Sequence, residues 1–354
     1  MAKDTKETIG RESNPKDKMR ELISIPKPSY LNPKYRLDYG CVVLPEGFTD
    51  YTVDMTKRGL ERIREVSHNP NARLAVLLSG GVDSSVALQM GYHAVGPQNI
   101  VALTMEHLFV GEKERQDHKK RDGLISKLGV EEVRQDITNL INTQLNNLGA
   151  FEDARRLFEE RPELFEIYKA EAIARARINA MQNYCSLEEL HPIDTGNLTE
   201  SVYGQYTIGD SSGFALSILA PLLKGEVRRF GEELGLDKEL YQQEKRTGEF
   251  GLAGDEQLGA SDDYLDPIAN LYLTGSDFET IAKQTGHDSR WLRQLGSRVS
   301  GQARIVRAST GPIVDIETGG CVPTFRELWQ RATENKGSLQ SKLQKARNKY
   351  MPRA

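Results

Sequence analysis

The segment from residue 74 to residue 85 constrains the fold of this chain more than any other part of the sequence. Residues 74–78 form an unbroken apolar run, which predicts a short buried strand. Ser-Gly-Gly-Val-Asp-Ser-Ser follows at residues 79–85, and we predict a helix from there through Met90. We therefore expect a strand, a tight turn and a helix in direct succession.

Further apolar runs continue this alternation along the chain. Residues 100–103 and 133–137 predict a second and a third strand, and a charged helical stretch at 112–128 lies between them and ends at Gly129. Strands that alternate with helices in this way predict a parallel sheet with crossover helices. The pattern therefore favours the α/β class.

The remaining length suggests additional segments around this α/β unit. A chain of 354 residues corresponds to about two domains. We expect a polar N-terminal extension at residues 1–50, an α/β domain at 51–265, and a C-terminal helical region with a basic tail at 266–354. Within these, residues 150–184 predict one long charged helix, and the glycine-rich residues 248–259 predict a loop.

Composition excludes several classes of protein. Lys and Arg number 47 and Asp and Glu number 51, so the net charge of −4 does not indicate a dedicated nucleic-acid binder. No apolar run approaches the roughly 20 residues that cross a membrane, and the N-terminus lacks the apolar region of a secretory signal. Cys41, Cys185 and Cys321 are too dispersed for a disulfide framework or zinc cluster. We expect a cytoplasmic protein.

The loop at residues 79–85 has the chemistry of an anion site. The start of a helix presents unpaired backbone N–H groups and a partial positive charge. Gly80 and Gly81 permit a close approach, and hydroxyl donors come from Ser79, Ser84 and Ser85. Asp83 suits a phosphate site only with a cation between them, which predicts a Mg²⁺ ligand. The alternative is a Gly-Gly turn followed by a helix cap.

This loop resembles the pyrophosphate-binding loop of the N-type ATP pyrophosphatases. It lacks the Gly-Lys-Ser/Thr ending of a Walker A loop, and it is not the dinucleotide fingerprint. The superfamily includes NAD, GMP and asparagine synthetases and tRNA-thiolating enzymes. The resemblance implies cleavage of ATP between its α and β phosphates, adenylation of a substrate, and a doubly wound, Rossmann-like sheet of the adenine nucleotide alpha hydrolase type, with helical extensions at both ends.

Other segments resemble the ammonia-dependent NAD synthetase family, in patches over residues 60–305. They are Asp-Thr-Gly-Asn-Leu-Thr-Glu at 194–200, the Gly-Asp loop at 204–210, Leu-Lys-Gly-Glu-Val-Arg at 223–228, Lys-Arg-Thr-Gly-Glu at 245–249 and Ala-Arg-Ala-Arg at 174–177. The resemblance implies an ATP-dependent ligase that adenylates the carboxylate of deamido-NAD, releases pyrophosphate, and uses ammonia to give NAD and AMP. It also implies a homodimer.

The same resemblance implies roles for individual residues. Asp83 and Glu200 would bind Mg²⁺, and Asp83 and Lys224 would serve catalysis. The ATP contacts would be Ser79, Gly80, Gly81, Val82, Asp83, Ser84, Ser85, Thr195, Lys224 and Thr247. The substrate contacts would be Arg175, Asp210 and Arg304. Without the motif order, Thr195 and Glu200 could equally be a helix cap and a surface acid, and Lys224 and Arg175 could be solvated charges.

The substrate half of the pattern departs from the family. Ile208 stands where the family usually has Lys, residues 211–215 lack the acid of the family's Gly-Gly-x-Asp, and Gln302-Ala303 replaces a His-Lys pair. Arg304 is a candidate compensator. The acceptor could therefore be another carboxylate or a tRNA, although the absence of paired cysteines disfavours thiolation.

Two further expectations concern partners. The 70 residues before the loop are too few for a glutaminase or nitrilase-like domain, so we expect free ammonia or ammonia from a separate protein. Residues 276–292 have the pattern of a helix-turn-helix, with Gly286 at the turn, which leaves a DNA-binding regulator with a nucleotide-sensing fold as a second alternative.

Overall fold

A computed structural model describes residues 14, 15, 18, 24–108, 112–149, 152–205, 214–242 and 254–309 of the chain. Within these ranges, the side chains of residues 112–114, 148, 149, 152–154, 254, 255 and 300–309 are outside the description. The predicted basic tail and most of the predicted glycine-rich loop therefore lie outside the described residues.

Helices and strands alternate through the described chain, after two 3₁₀ turns at Pro33–Tyr35 and Tyr39–Cys41. In chain order the elements are α1 (Phe48–Val66), β1 (Arg73–Leu77), α2 (Val82–Val95), β2 (Ile100–Glu106), α3 (Glu112–Leu128), β3 (Glu131–Asp136), α4 (Thr138–Gly149), α5 (Glu152–Glu160), α6 (Pro162–Leu187), β4 (Leu190–Asp194), α7 (Leu198–Tyr203), β5 (Leu216–Ser217), α8 (Lys224–Glu233), α9 (Lys238–Tyr241), α10 (Gly254–Leu258), α11 (Asp262–Leu273), α12 (Phe278–Thr285) and α13 (Ser289–Ser309).

The strands form one parallel sheet in the order β3-β2-β1-β4-β5. Central strand β1 pairs with β2 and β4, so Val76 faces Ala102 on one side and Ile193 on the other. The strand order reverses between β1 and β4, which is the topology of a doubly wound sheet. The predicted α/β fold class is confirmed, and the first three strands lie close to their predicted positions.

Side chains of the sheet alternate between two cores. Leu74 and Val76 of β1 lie in a core built with α1, α2 and α8, whereas Ala75 lies in a second core built with α4 and α6. This alternation follows from the two-residue period of a strand. Helices therefore cover both faces of the sheet, which leaves its edges and strand ends for binding.

A third core joins the two ends of the described chain. Leu37 and Val42, from the N-terminal segment at residues 24–47, are buried with Leu265, Ile281 and Trp291 from the C-terminal helices. The predicted domain boundaries at residues 50 and 265 stay predictions.

Two local predictions need correction. The helix predicted at 150–184 is two helices, because Pro162 occupies the first turn of α6, where its missing N–H costs nothing. Part of the predicted loop at 248–259 is helical, since residues 254–258 form α10. Across the residues placed here, no helix is long and apolar enough to cross a membrane.

The helix-turn-helix pattern is present and serves as a packing unit. Helix α12 ends at Gly286, whose φ is 68°, and α13 begins at Ser289. Trp291 and Leu292 of α13 are buried in the third core. The N-terminal segment covers the turn, where Asn32 N donates to His287 Nδ1 at 2.9 Å.

Candidate active site where the strand order reverses

The loops that follow β1 and β4 meet at the carboxyl end of the sheet. The two strands are direct neighbours, so residues 78–81 and 195–197 leave the sheet side by side. In doubly wound sheets, ligands bind in the crevice at the point where the strand order reverses. This crevice is therefore the candidate active site.

Backbone geometry explains the two glycines after β1. Gly80 has a φ of +85°, and a Cβ atom there would lie 2.8 Å from the carbonyl oxygen of Asp117 and 3.2 Å from Cβ of Arg121. A side chain would be both strained and in collision with α3. Gly81 is the N-cap of α2 and makes no side-chain cap, so the first N–H groups of α2 remain for an anion.

The side chains of this loop are not equivalent. Ser84 Oγ donates to the carbonyl oxygen of Gly81 at 3.2 Å and lies 3.1 Å from Ser79 Oγ. Val82 packs its side chain into the first core, so it can offer a nucleotide only its backbone. Ser85 is fully buried, and its hydroxyl has no hydrogen-bond partner among the described atoms.

Three distant charged residues converge beside the loop. Lys224 Nζ, at the start of α8, donates to Asp83 Oδ2 and lies 3.4 Å from Glu200 Oε1. Asp83 Oδ1 also accepts a hydrogen bond of 3.1 Å from Asn197 Nδ2. One ammonium thus contacts two carboxylates in a partly closed crevice.

Asn197 holds Glu200 in place, and we had not predicted it as a site residue. Asn197 Oδ1 accepts from Glu200 N at 3.0 Å, and Asn197 N donates to Glu200 Oε2 at 3.4 Å. This reciprocal pair is a capping box at the start of α7. An Asn followed three residues later by Glu is a recognisable signal for this arrangement.

The electrostatics favour an additional cation. Burial raises the pKa of Glu200 to about 7, where the pull of Lys224 opposes it and the charge of Asp83 adds to it. Burial opposes the charge of Lys224, but Asp83 and Glu200 outweigh it and hold the pKa of Lys224 above its ordinary value. With both acids ionised, two negative charges face one positive charge.

Asp83 and Glu200 are suitable ligands for a hard cation. Carboxylate oxygens are what Mg²⁺ prefers, and it commonly takes one or two of them and fills its other positions with water and phosphate oxygens. No group of three His, Cys, Asp or Glu side chains in the described ranges forms a complete metal cage. The pair therefore fits a cation that arrives with a phosphate ligand.

A buried carboxylate anchors the two helices that carry Glu200 and Lys224. Asp266 accepts from Thr199 Oγ1 at 2.6 Å and from Gly225 N at 2.7 Å, and Thr199 Oγ1 accepts from Lys224 N at 2.9 Å. Burial raises the pKa of Asp266 to about 7. We had not predicted this residue, because one of three acids in a short helix carries no local signal for its distant partners.

The other predicted residues have different positions. Thr195 lies in the loop after β4, at the same edge as Asp83. Arg175 is 40% exposed and pairs along its own helix with Glu171 at 3.0 Å. Its neighbour Arg177 instead lies 2.8 Å from His107 Nε2, directly after β2. Arg177 is thus the one of the two that reaches a strand end.

Several predicted residues lie outside the description. Ile208, Asp210 and Thr247 are not among the described residues, and Arg304 lies on α13 with its side chain undescribed. Their predicted contacts stay predictions.

Known proteins resemble the chain in sequence. The family model described as NAD synthase matches residues 56–304. The NH(3)-dependent NAD(+) synthetase of Methanosarcina acetivorans is 24% identical over 245 residues, which are 68% of this chain and 91% of that protein. That of Hyperthermus butylicus is 29% identical over 225 residues, which are 63% of this chain and 76% of that protein.

Solved structures resemble the chain in fold. An NMN synthetase from Francisella tularensis superposes with a TM-score of 0.56 and 19% identity, over 73% of this chain and 96% of that one. An NH3-dependent NAD synthetase from Campylobacter jejuni gives 0.51 and 18%, over 74% and 97%. The match of the family model covers well over half of the sequence, and the chain therefore belongs to the NAD synthase family.

Proposed function

We propose that this chain is an ammonia-dependent NAD synthase, a carbon–nitrogen ligase that uses ATP to amidate deamido-NAD. One observation carries the proposal. In a chain that matches the NAD synthase family over residues 56–304, Asp83, Glu200 and Lys224 converge where the strand order reverses. The products are NAD, AMP and pyrophosphate.

The loop after β1 binds the phosphates of ATP in this proposal. The free N–H groups at the start of α2 and the Ser79 hydroxyl meet the phosphate oxygens, and the Ser84 hydroxyl does so once it releases the carbonyl oxygen of Gly81. Thr195 and Thr247 contribute further ATP contacts. The side chains of Val82 and Ser85 point into the protein, so these two residues act through backbone position.

Asp83 and Glu200 hold Mg²⁺ in this proposal. Lys224 already contacts both acids, which places their oxygens within reach of one cation. When bound, the metal supplies positive charge to the phosphates of ATP.

Positioning and charge are what the protein supplies to the first step. The substrate carboxylate attacks the α-phosphorus, the bond to the β-phosphate breaks, and pyrophosphate leaves with the electron pair. Such transfers require little covalent help from the protein. Lys224, held charged by its two acids, and the N–H groups of α2 stabilise the negative charge that develops. Ammonia then displaces AMP from the acyl adenylate.

Binding of deamido-NAD is the second part of the proposal. We assign it to Arg175, Asp210 and Arg304, with Arg177 as an added candidate because it reaches the end of β2. A homodimer, a cytoplasmic location and a separate ammonia-supplying protein stay predictions.

A second candidate keeps the adenylation step and changes the acceptor. The departures at Ile208 and at residues 211–215 favour it, because they remove charged positions of the family's substrate site. Another carboxylate would then be the substrate, such as a mononucleotide that carries the same pyridine carboxylate as deamido-NAD.

The test supplies purified protein with ATP, Mg²⁺, ammonium and deamido-NAD. We expect AMP, pyrophosphate and NAD in equal amounts. Pyrophosphate without NAD, or faster turnover of a different carboxylate in a parallel screen, would support the second candidate. A protein that neither binds ATP with Mg²⁺ nor releases pyrophosphate with any carboxylate would contradict both.

A further inference from the structure

The N-terminal segment at residues 24–47 lies before the residues that match the family, yet it contacts the helix that carries Lys224. The family match begins at residue 56. Leu37 of the segment is buried, and Tyr39 is half-buried and packs against the same core. Both side chains meet the first turn of α8 at Gly225.

Gly225 is the point of contact, one residue after Lys224. A Cβ atom on Gly225 would lie 2.7 Å from Cε1 of Tyr39 and 3.1 Å from Cδ2 of Leu37. No larger residue fits at that distance without displacing the ring or the helix. The ring of Tyr39 therefore rests directly on the backbone that sets the direction of the Lys224 side chain.

Other contacts fix the segment itself. Leu37 N donates to the carbonyl oxygen of Asp263 at 2.7 Å, and Arg36 forms an ion pair with the Asp263 side chain. The guanidinium of Arg228, on α8, lies 5.5 Å from the centre of the Tyr39 ring. The segment is therefore attached to both α11 and α8.

Asp266 is a second contact that holds Gly225. Gly225 N donates to Asp266 Oδ2 at 2.7 Å, on the same helix as Asp263. The first turn of α8 is thus fixed by a hydrogen bond to α11 and by its packing against the Tyr39 ring. Removing the ring leaves space into which this turn can shift.

We propose that Tyr39 and Leu37 are positioning residues for Lys224, which they hold against Asp83 and Glu200 through their packing on Gly225. The effect of this packing on catalysis rests on the proposed function. Displacement of a reacting group by about 1 Å can cost about a hundredfold in rate. The segment outside the family match thereby becomes part of the working enzyme.

The first experiment compares Tyr39→Ala with Tyr39→Phe and with Ile25→Ala in the full chain. We expect kcat for pyrophosphate release to fall about 10- to 100-fold in Tyr39→Ala, with the KM for ATP changed much less. Tyr39→Phe keeps the ring and should retain activity. Ile25→Ala removes a buried side chain from the far end of the segment, where Ile25 N bonds Gln257 O, and should lower Tm without lowering kcat.

The second experiment measures the position of Lys224 without catalysis. Acetic anhydride modifies neutral amines, and mass spectrometry gives the rate at Lys224. The Lys224 side chain is only 11% exposed while it contacts its two carboxylates, and an amine released from them is open to the reagent. We expect faster labelling of Lys224 in Tyr39→Ala, and unchanged labelling in Tyr39→Phe and Ile25→Ala.

A double variant checks the contact itself. Gly225→Ala should lower kcat in the wild-type background, because its methyl group meets the Tyr39 ring, and should cost less when combined with Tyr39→Ala. Additive losses, equal loss in Tyr39→Phe and Tyr39→Ala, or unchanged Lys224 labelling in Tyr39→Ala would each overturn the inference. A wild-type protein without pyrophosphate release would contradict the proposed function, while the labelling would still decide the positioning.

Discussion

Two charged clusters lie at the carboxyl end of the same sheet, and they differ in how their charge is compensated. Beside β1 and β4, Asp83 and Glu200 share the single ammonium of Lys224. Beside β2, Glu106 lies 2.7 Å from the guanidinium of Arg121 and 4.0 Å from that of Arg134. In the first cluster two acids share one ammonium, whereas in the second each acid (Glu106, Asp122 and Glu132) lies within 2.9 Å of an arginine guanidinium.

The difference distinguishes a cluster that can bind a ligand from one that stabilises the protein structure. A cluster with unmatched negative charge and a raised carboxyl pKa gains from a cation, which is how catalytic sites are commonly arranged. In the second cluster every acid already has a guanidinium partner, and Arg121, which is almost fully buried, packs its Cβ against Gly80. We infer that the second cluster shapes the loop that the first one uses.

The largest effect is expected from Asp83→Asn, which removes charge from the first cluster. The variant loses the ion pair with Lys224 and the proposed metal ligand, so we expect pyrophosphate release to fall by about 10³-fold. Activity is measured at saturating ATP over a range of Mg²⁺ concentrations.

A control separates this loss from misfolding. Lys224 keeps Glu200 as a partner at 3.4 Å, so the variant should remain folded at the assay temperature with a lowered Tm, and activity is corrected for the folded fraction. Activity within tenfold of the wild type would remove Asp83 from the proposed site.

A smaller effect, on stability rather than chemistry, is expected from Glu106→Gln in the second cluster. Buried Arg121 would lose its closest acid and keep only Asp122 at 2.9 Å. We expect a loss of about 2 kcal/mol in the free energy of unfolding, measured by urea denaturation.

If the two clusters differ in this way, the folded Glu106→Gln variant keeps its catalytic activity. Its kcat, corrected for the folded fraction, should stay within about threefold of the wild type, because Glu106 makes no contact proposed for catalysis. A collapse of kcat with unchanged stability would assign the second cluster to the active site.

The smallest effect concerns pH and Glu200. Because its folded pKa of about 7 lies above the unfolded value, Glu200 stabilises the fold at low pH and this stability is lost as pH rises through 7. Glu200→Gln should therefore be more stable than the wild type by about 1–2 kcal/mol at pH 8, although it is expected to be less active.

Urea denaturation at several pH values tests whether Glu200→Gln is more stable than the wild type at high pH. The two proteins should converge near pH 5, where Glu200 is protonated in the folded state. A Glu200→Gln variant that is less stable at pH 8 would mean that Lys224 compensates the carboxylate fully.

Features that depend on neighbouring residues were predicted correctly from the sequence, whereas features that depend on distant residues were missed. Helix α3 and the strand–turn–helix at β1 could be predicted, because apolar runs and helix ends depend on neighbouring residues. Strands β4 and β5 were missed, since Leu-His-Pro-Ile-Asp has no strand pattern and β5 has only two residues. They are strands because β1 leaves an edge for β4 to pair with, and β4 in turn leaves one for β5.

The site shows the same division. The sequence alone determined that a glycine pair opens α2 and that an acid stands in its first turn, since steric fit and helix ends are local properties. Only the tertiary structure decided that Asp83 meets Lys224, 141 residues away, and that Tyr39 packs on Gly225. Such contacts depend on parallel strand pairing and helix packing, which bring distant residues together without any local trace in the sequence.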